Sequence, residues 1–352
     1  MSGNQTAAGA VYAKIRAKLG RQLNTRDHDA LLHCGTVSEI AAYLKQETPY
    51  AQELAGLQEA ALHRDNLERL LRRHTVMEMA ALCAFDQTVG EHFFEFFVID
   101  LEVDELIAFL AFFTAGNPQQ YLLEMSAVID RISHINFSAL TTAKRYSDLL
   151  EQLRNTRYAR VLAAFAPEND ELSPWSLPAI ESALLKYRHA AQEELFRKQY
   201  SGAVRRDVQF LLNLRAELND IGIVVRSKSF AQWSAPMLRA SLVGARCLLS
   251  PAEFDDMVNA GSQKESLDIV LKSRYARYFE RMQLDAFTYI DDFSQRILTY
   301  HANRLVRFSI QTPVAMFCLY VLRQTEVDNL TNIIEGVRYH IPMAQTQQLL
   351  IV

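Results

Sequence analysis

Thr48-Pro49-Tyr50-Ala51, Thr156-Arg157-Tyr158-Ala159 and Ser273-Arg274-Tyr275-Ala276 are three versions of one phrase. The tyrosines stand 108 and then 117 residues apart. A Leu-basic pair comes shortly before each copy: Leu44-Lys45, Leu153-Arg154 and Leu271-Lys272. A second phrase follows downstream. Glu105-Leu106, Asn213-Leu214 and Asn329-Leu330 begin 55, 55 and 54 residues beyond their tyrosines. Upstream, Asn24 to Glu39 aligns without gaps on Ser250 to Glu265, pairing Asp27 with Glu253, Gly35 with Gly261, Thr36 with Ser262 and Glu39 with Glu265. The middle copy is degenerate in that stretch. Three agreeing registers indicate an internal triplication. A period of about 110 residues suits a small domain better than a solenoid repeat. The expected repeat units are 1–116, 117–226 and 227–352. Tyr50, Tyr158, Tyr275, Glu105, Asn213 and Asn329 are their register marks, read as structural and not as ligand contacts.

Composition narrows the class. A hydrophobic content of 49% supports packed cores and excludes a disordered chain. Twelve glycines and nine prolines are too few for a turn-rich β-protein. A net charge of −4 argues against a general nucleic-acid binder. The cysteines, Cys34, Cys83, Cys247 and Cys318, lie far apart with no CxxC pair, as expected of reduced thiols. Residues 1–26 carry basic groups and no acid, which resembles a transit peptide in composition. The preferred reading is an amphipathic first helix of the fold, with Val11, Ile15 and Leu19 on one face.

No stretch is read as a membrane span. Phe93 to Phe113 contains Glu95, Asp100, Glu102, Asp104 and Glu105, each costing roughly 2.5–3.5 kcal/mol in hydrocarbon. The run Val314 to Leu322 has about half the length required.

Periodicity predicts helices almost throughout. Thr36-Val37-Ser38-Glu39, Ser250-Pro251-Ala252-Glu253 and Ser262-Gln263-Lys264-Glu265 are helix-start signals with Glu three residues after a hydroxyl cap. Ile180, Leu184, Tyr187, Ala191 and Leu195 form one apolar helical face. Further helices are expected over Leu54–Ala84, Leu122–Ser133, Thr142–Leu153, Pro236–Leu249, Leu284–Phe308 and Val314–Glu335, the last ending at Gly336. Gly222–Arg226 reads as a short strand or extended linker.

Catalytic signals are weak. HExxH, GxSxG, Walker A and GxGxxG are all missing from the sequence. His28, His33 and Cys34 fit no standard zinc spacing. Asp100, Glu102, Asp104 and Glu105 are spread around a helix and read as a solvated or interface face. Arg72-Arg73 and Arg205-Arg206 read as solvated pairs. The expectation is no catalytic residue, no cofactor and no metal.

The chain resembles the C-type subunit of bacterial and archaeal A/V-type rotary ATPases, whose counterpart in the eukaryotic V-type enzyme is the d-type subunit. The resemblance is carried by Tyr12-Ala13-Lys14-Ile15-Arg16, by the Leu-basic-Thr/Ser-x-Tyr phrase, and by the ending from Cys318 through Glu326, Asn329 and Leu330 to Gly336 and Arg338. Departures are Glu105 in place of Asn, the missing middle capping box, and Val337 between the glycine and its basic partner. The resemblance implies an all-α, three-lobed, pseudo-threefold funnel on the cytoplasmic face of the membrane. It implies a non-catalytic rotor component between the proteolipid ring and the D and F subunits of the central shaft. The alternative is a stand-alone helical scaffold.

Overall fold

The computed structural model describes residues 2–52, 54–55, 64–85, 90–125, 128–231, 233–282 and 290–351. Among these the chain is all-α, with nineteen helices and no strand. The first are α1 (Ser2–Leu19), α2 (Thr25–Leu32), α3 (Val37–Glu47), α4 (Arg64–Phe85) and α5 (Gly90–Thr114). Next come α6 (Tyr121–Glu124), α7 (Ile129–Ile132), α8 (Phe137–Leu140), α9 (Tyr146–Leu153), α10 (Ala159–Ala163), α11 (Leu177–Gln199) and α12 (Gly202–Arg226). The last are α13 (Ala235–Ser241), α14 (Pro251–Asn259), α15 (Gln263–Lys272), α16 (Ala276–Met282), α17 (Ile290–Phe308), α18 (Thr312–Arg338) and α19 (Met343–Leu349). Each tyrosine phrase thus follows two short helices; the first comes before the long α4 and α5, and the second and third lead through short α10 and α16 to the long pairs α11 and α12, and α17 and α18.

Packing gathers the chain into two compact units. One comprises Met1–Phe97, Glu124–Ile132 and Ala302–Val352, the other Val98–Leu123 and Ser133–His301. In the first, α18 is central, with α1, α2, α3, α4 and α19 packed around it. The run Val314–Leu322 is fully enclosed, as a helix apolar on all sides must be. Phe317 meets Phe93 and Phe96, and Tyr320 takes the edges of Phe96 and Phe97 at 88°. The basic N-terminal stretch belongs to this unit. Val11 and Ile15 of α1 are buried, and the Tyr12 hydroxyl donates to the Ser309 carbonyl at 3.1 Å. In the second unit, α12 packs against α11, α15 and the π-helical turn Ser227–Ala231.

Several expected elements differ. Gly222–Arg226 is the last turn of α12, not a strand. In the stretch expected as one helix, Leu122–Ser133, the described residues form two short turns, α6 and α7, and α7 ends where the Ser133 hydroxyl and the His134 amide donate to Glu102. The helix expected over Pro236–Leu249 stops at Ser241. Beyond it the amides of Val243, Gly244, Cys247, Leu248 and Leu249 all donate to carboxylates of α12 and are lost to helix formation. Gly244 lies at φ 79°, which favours glycine. Parts of the expected helices Leu54–Ala84 and Leu284–Phe308 lie outside the described residues.

Gly336 does not end α18. The helix runs on to Arg338, and His340 terminates it by adopting φ 53°. Gly336 is buried where α19 crosses. A Cβ there would stand 2.5 Å from Thr346 Oγ1 and 2.8 Å from its Cγ2. Gly336→Ala should therefore lower stability by about 1 kcal/mol in the native chain, overpacking outweighing helix propensity. In a Thr346→Ala background the same change should raise stability by about 1 kcal/mol. Urea unfolding of the four proteins in this cycle decides it; equal effects in both backgrounds would refute the close-approach account.

Candidate functional site

In each tyrosine phrase the hydroxyl residue folds the backbone over. Thr48 Oγ1 donates to the Leu44 carbonyl at 2.5 Å, Thr156 Oγ1 to Leu153 at 2.7 Å and Ser273 Oγ to Val270 at 2.7 Å. The same oxygens accept the amide of the tyrosine two residues on, at 3.3, 3.3 and 3.2 Å. These turns end the short helices and drop Tyr50, Tyr158 and Tyr275 into the core, where all three are buried.

Each buried tyrosine then finds one buried carboxylate. Tyr50 Oη donates to Glu326 Oε1 at 2.8 Å, Tyr158 Oη to Glu102 Oε2 at 2.9 Å, and Tyr275 Oη to Glu217 Oε1 at 2.6 Å. Burial, reinforced by the neighbouring glutamate, pushes all three phenols up, so each stays a donor. The carboxylates also accept backbone amides just ahead of a helix cap. Glu326 takes Leu23 N at 2.9 Å, ahead of Asn24. Glu102 takes His134 N at 2.6 Å and Ser133 Oγ at 2.9 Å, ahead of Asn136. Glu217 takes Cys247 N at 2.6 Å and Leu248 N at 2.8 Å, ahead of Ser250. One carboxylate thus clamps a long helix, a tyrosine turn and the entry to a short helix. Hydrogen bonds to a charged group are each worth about 1.5–3 kcal/mol, and a buried carboxylate left without them is costly.

Aligning the long helices on these glutamates shifts one register mark. The runs are Glu102-Val103-Asp104-Glu105-Leu106, Glu217-Leu218-Asn219-Asp220-Ile221 and Glu326-Val327-Asp328-Asn329-Leu330. In the middle run Asp220 takes the place expected of Asn213. Asn213 lies seven residues earlier, half-buried, and accepts from Gln209 Nε2 at 2.9 Å within α12. Seven residues is nearly two helical turns, so the slip preserves the face and the apolar pattern hides it. The fourth position of each run ties down the segment after its helix. Glu105 accepts from the Tyr121 hydroxyl. Asp220 accepts from Val243 N at 2.9 Å and Gly244 N at 2.8 Å. Asn329 exchanges two bonds with the Ile351 backbone, at 2.8 and 2.9 Å.

The upstream caps are also placed. Glu39 accepts Gly35 N at 2.7 Å and Glu265 accepts Gly261 N at 2.8 Å. In the middle stretch Asp148 accepts Lys144 N at 3.1 Å and Arg145 N at 3.0 Å. Arg145 stands where a hydroxyl caps the other two helices, and that concealed the correspondence.

The acid run, expected as a solvated or interface face, is divided between the core and the surface. Asp100 and Glu102 are buried, and Asp100 pairs with Arg215 at 2.9 Å and accepts from Gln192 Nε2 at 3.1 Å. Asp104 is exposed and pairs with Arg188 at 2.8 Å. Sequence reading also missed Arg323, which is 2% exposed. It donates to Glu326 at 2.9 Å, Glu78 at 2.8 Å and the Lys18 carbonyl at 3.0 Å. Burial opposes the charge on Glu78, yet Arg323 and Lys18 hold its pKa below the usual carboxylate range. The available signal was a lone Arg three residues before Glu within an apolar run. Among the described residues no group of three His, Cys, Asp or Glu is placed to hold a metal. His28 is buried with neither ring nitrogen bonded, and burial lowers its pKa. The four cysteines are thiols outside any disulfide.

Tyr158→Phe removes one donor from buried Glu102 and should cost about 2 kcal/mol of unfolding free energy. Tyr158→Ala adds a cavity and should cost about 3–5 kcal/mol. Urea titration checks both; a neutral Tyr158→Phe would refute the clamp. A second expectation concerns Asp220. Burial pushes it up to about 7, although the Gly244 and Val243 amides pull the other way. Its folded pKa therefore exceeds the unfolded value of about 3.9. The folded state holds this proton more tightly, so stability falls as pH rises from about 4 through 7 and returns on acidification. In Asp220→Asn the gain between about pH 8 and 5 should shrink by about 2 kcal/mol. Parallel pH profiles of the two proteins would contradict this.

Comparison with known proteins gives one assignment. A family model described as ATP synthase (C/AC39) subunit matches residues 11–349. No curated protein matches the chain. The match runs from α1 to the end of α19 and takes in all three clamps. The chain belongs to the ATP synthase (C/AC39) subunit family, a structural component of V-type rotary ATPases that is not catalytic by itself.

Proposed function

We propose that the chain is the rotor adaptor of a V-type ATPase. It joins the D and F subunits of the central shaft to the proteolipid ring, and carries torque for H⁺ or Na⁺ transport or for ATP synthesis. In this reading residues 1–116, 117–226 and 227–352 are three repeat units in a pseudo-threefold funnel. The protein sits on the cytoplasmic face and binds neither nucleic acid nor cofactor. No described helix is long and apolar enough to cross a membrane, so docking on the ring is peripheral in this account.

The observation that supports the reading is the carboxylate clamp. A torque-bearing adaptor must resist shear between its helices. Apolar contacts are non-directional and allow sliding, whereas hydrogen bonds to a fixed carboxylate are directional. Three sets of such bonds lock long helices to neighbouring turns in a chain whose family is that of the rotary ATPase subunit.

A tagged copy should recover ring and shaft subunits from detergent-solubilised membranes, and should show no ATPase activity alone. Recovery of neither partner would sink the adaptor reading.

A further inference from the structure

We propose that the tip between α17 and α18 is a docking surface for anionic lipid headgroups. Phe308 is 82% exposed and Ile310 is 77% exposed, while Val306 and Thr312 on either side are buried. The tip is not loosely held. Ser309 N donates to the Leu305 carbonyl at 2.8 Å, and Gln311 N to Ser309 Oγ at 3.2 Å. From α1, Tyr12 holds the Ser309 carbonyl and Arg16 Nη1 donates to the Val306 carbonyl at 2.9 Å. Backbone bonds therefore fix two large apolar side chains in water, where burial within this chain gains nothing from them.

The charged side chains of the two segments that form the tip are all basic. Arg304 and Arg307 of α17 are exposed, as are Lys14 and Arg16 on the neighbouring stretch of α1. Residues 1–26 and 293–325 contain no Asp or Glu, although the whole chain has a net charge of −4. Cations beside an exposed Phe and Ile match the boundary between anionic headgroups and acyl chains. The Arg stems can lie along that boundary with their guanidinium groups in water. An acidic protein surface would satisfy the cations but would need pre-shaped pockets for Phe308 and Ile310. A bilayer accepts both without any. The proposal is independent of the adaptor reading, since it concerns lipid and neither ring nor shaft.

Flotation of the purified full chain with vesicles tests it. Binding is expected to mixed phosphatidylglycerol–phosphatidylcholine vesicles, falling with salt, and not to phosphatidylcholine alone. Arg304→Gln/Arg307→Gln should lower the partition coefficient about 25-fold, at about five-fold per cation. Phe308→Ser should lower it roughly ten-fold at unchanged charge. All three residues are exposed, so thermal unfolding serves as a control and should not move. Absence of binding to anionic vesicles overturns the proposal, as does equal binding by the double variant or equal binding to neutral vesicles. If the double variant keeps vesicle binding but loses its protein partners, the tip belongs to an acidic protein surface and the lipid assignment fails.

Discussion

A carboxylate removed from water must be surrounded by donors, and this chain meets that demand three times with the same parts. Glu102, Glu217 and Glu326 each sit on a long helix, and each takes a phenol and at least one backbone amide. The demand explains features that look unrelated. The end of α7 and the early stop of α13 both fall where the amides that follow are already committed to a carboxylate. The hydroxyl before each tyrosine is needed because the ring must enter the core from a sharp turn. Side chains outside these clamps differ freely between the three stretches, as Arg145 in place of Thr or Ser shows.

The clamps are alike in plan and unequal in electrostatics. Glu217 is served largely by main-chain amides and Glu102 by an amide and a hydroxyl. Glu326 alone among them has a buried guanidinium beside it, and Arg323 in turn engages Glu78, which meets Lys18 at 3.1 Å. Two cations and two carboxylates balance there. Truncating one member would strand its partners, which is usually far more costly than the net worth of the pair.

Much of this was legible in the sequence because it is local. The helical class, the capping boxes at Glu39, Glu253 and Glu265, and the tyrosine phrase all follow from residues within four positions of one another. The carboxylate partners were not legible, because they come from 56 to 276 residues away. Asp220 was not legible as the register mark in place of Asn213, because a two-turn slip leaves a helix face unchanged. Glu102 and Asp100 read as a solvated or interface face because burial of a charge depends on donors that only the fold assembles. Gly336 was read as a helix end because the close pass of Thr346 has no sequence signature.

The bond between Tyr50 and Glu326 also bears on how the protein is made. Synthesis at about 5–20 residues per second leaves roughly 15 to 55 s between the appearance of the two partners, which are 276 residues apart. During that interval the first tyrosine turn is present without its carboxylate, while the Tyr158–Glu102 and Tyr275–Glu217 pairs complete themselves in turn. Glu326 is also the residue that holds Leu23, at the entry to the first cap. The earliest-made part of the chain is therefore the last to be locked, and a ribosome that stops short of Glu326 releases an N-terminal segment that has no clamp of its own.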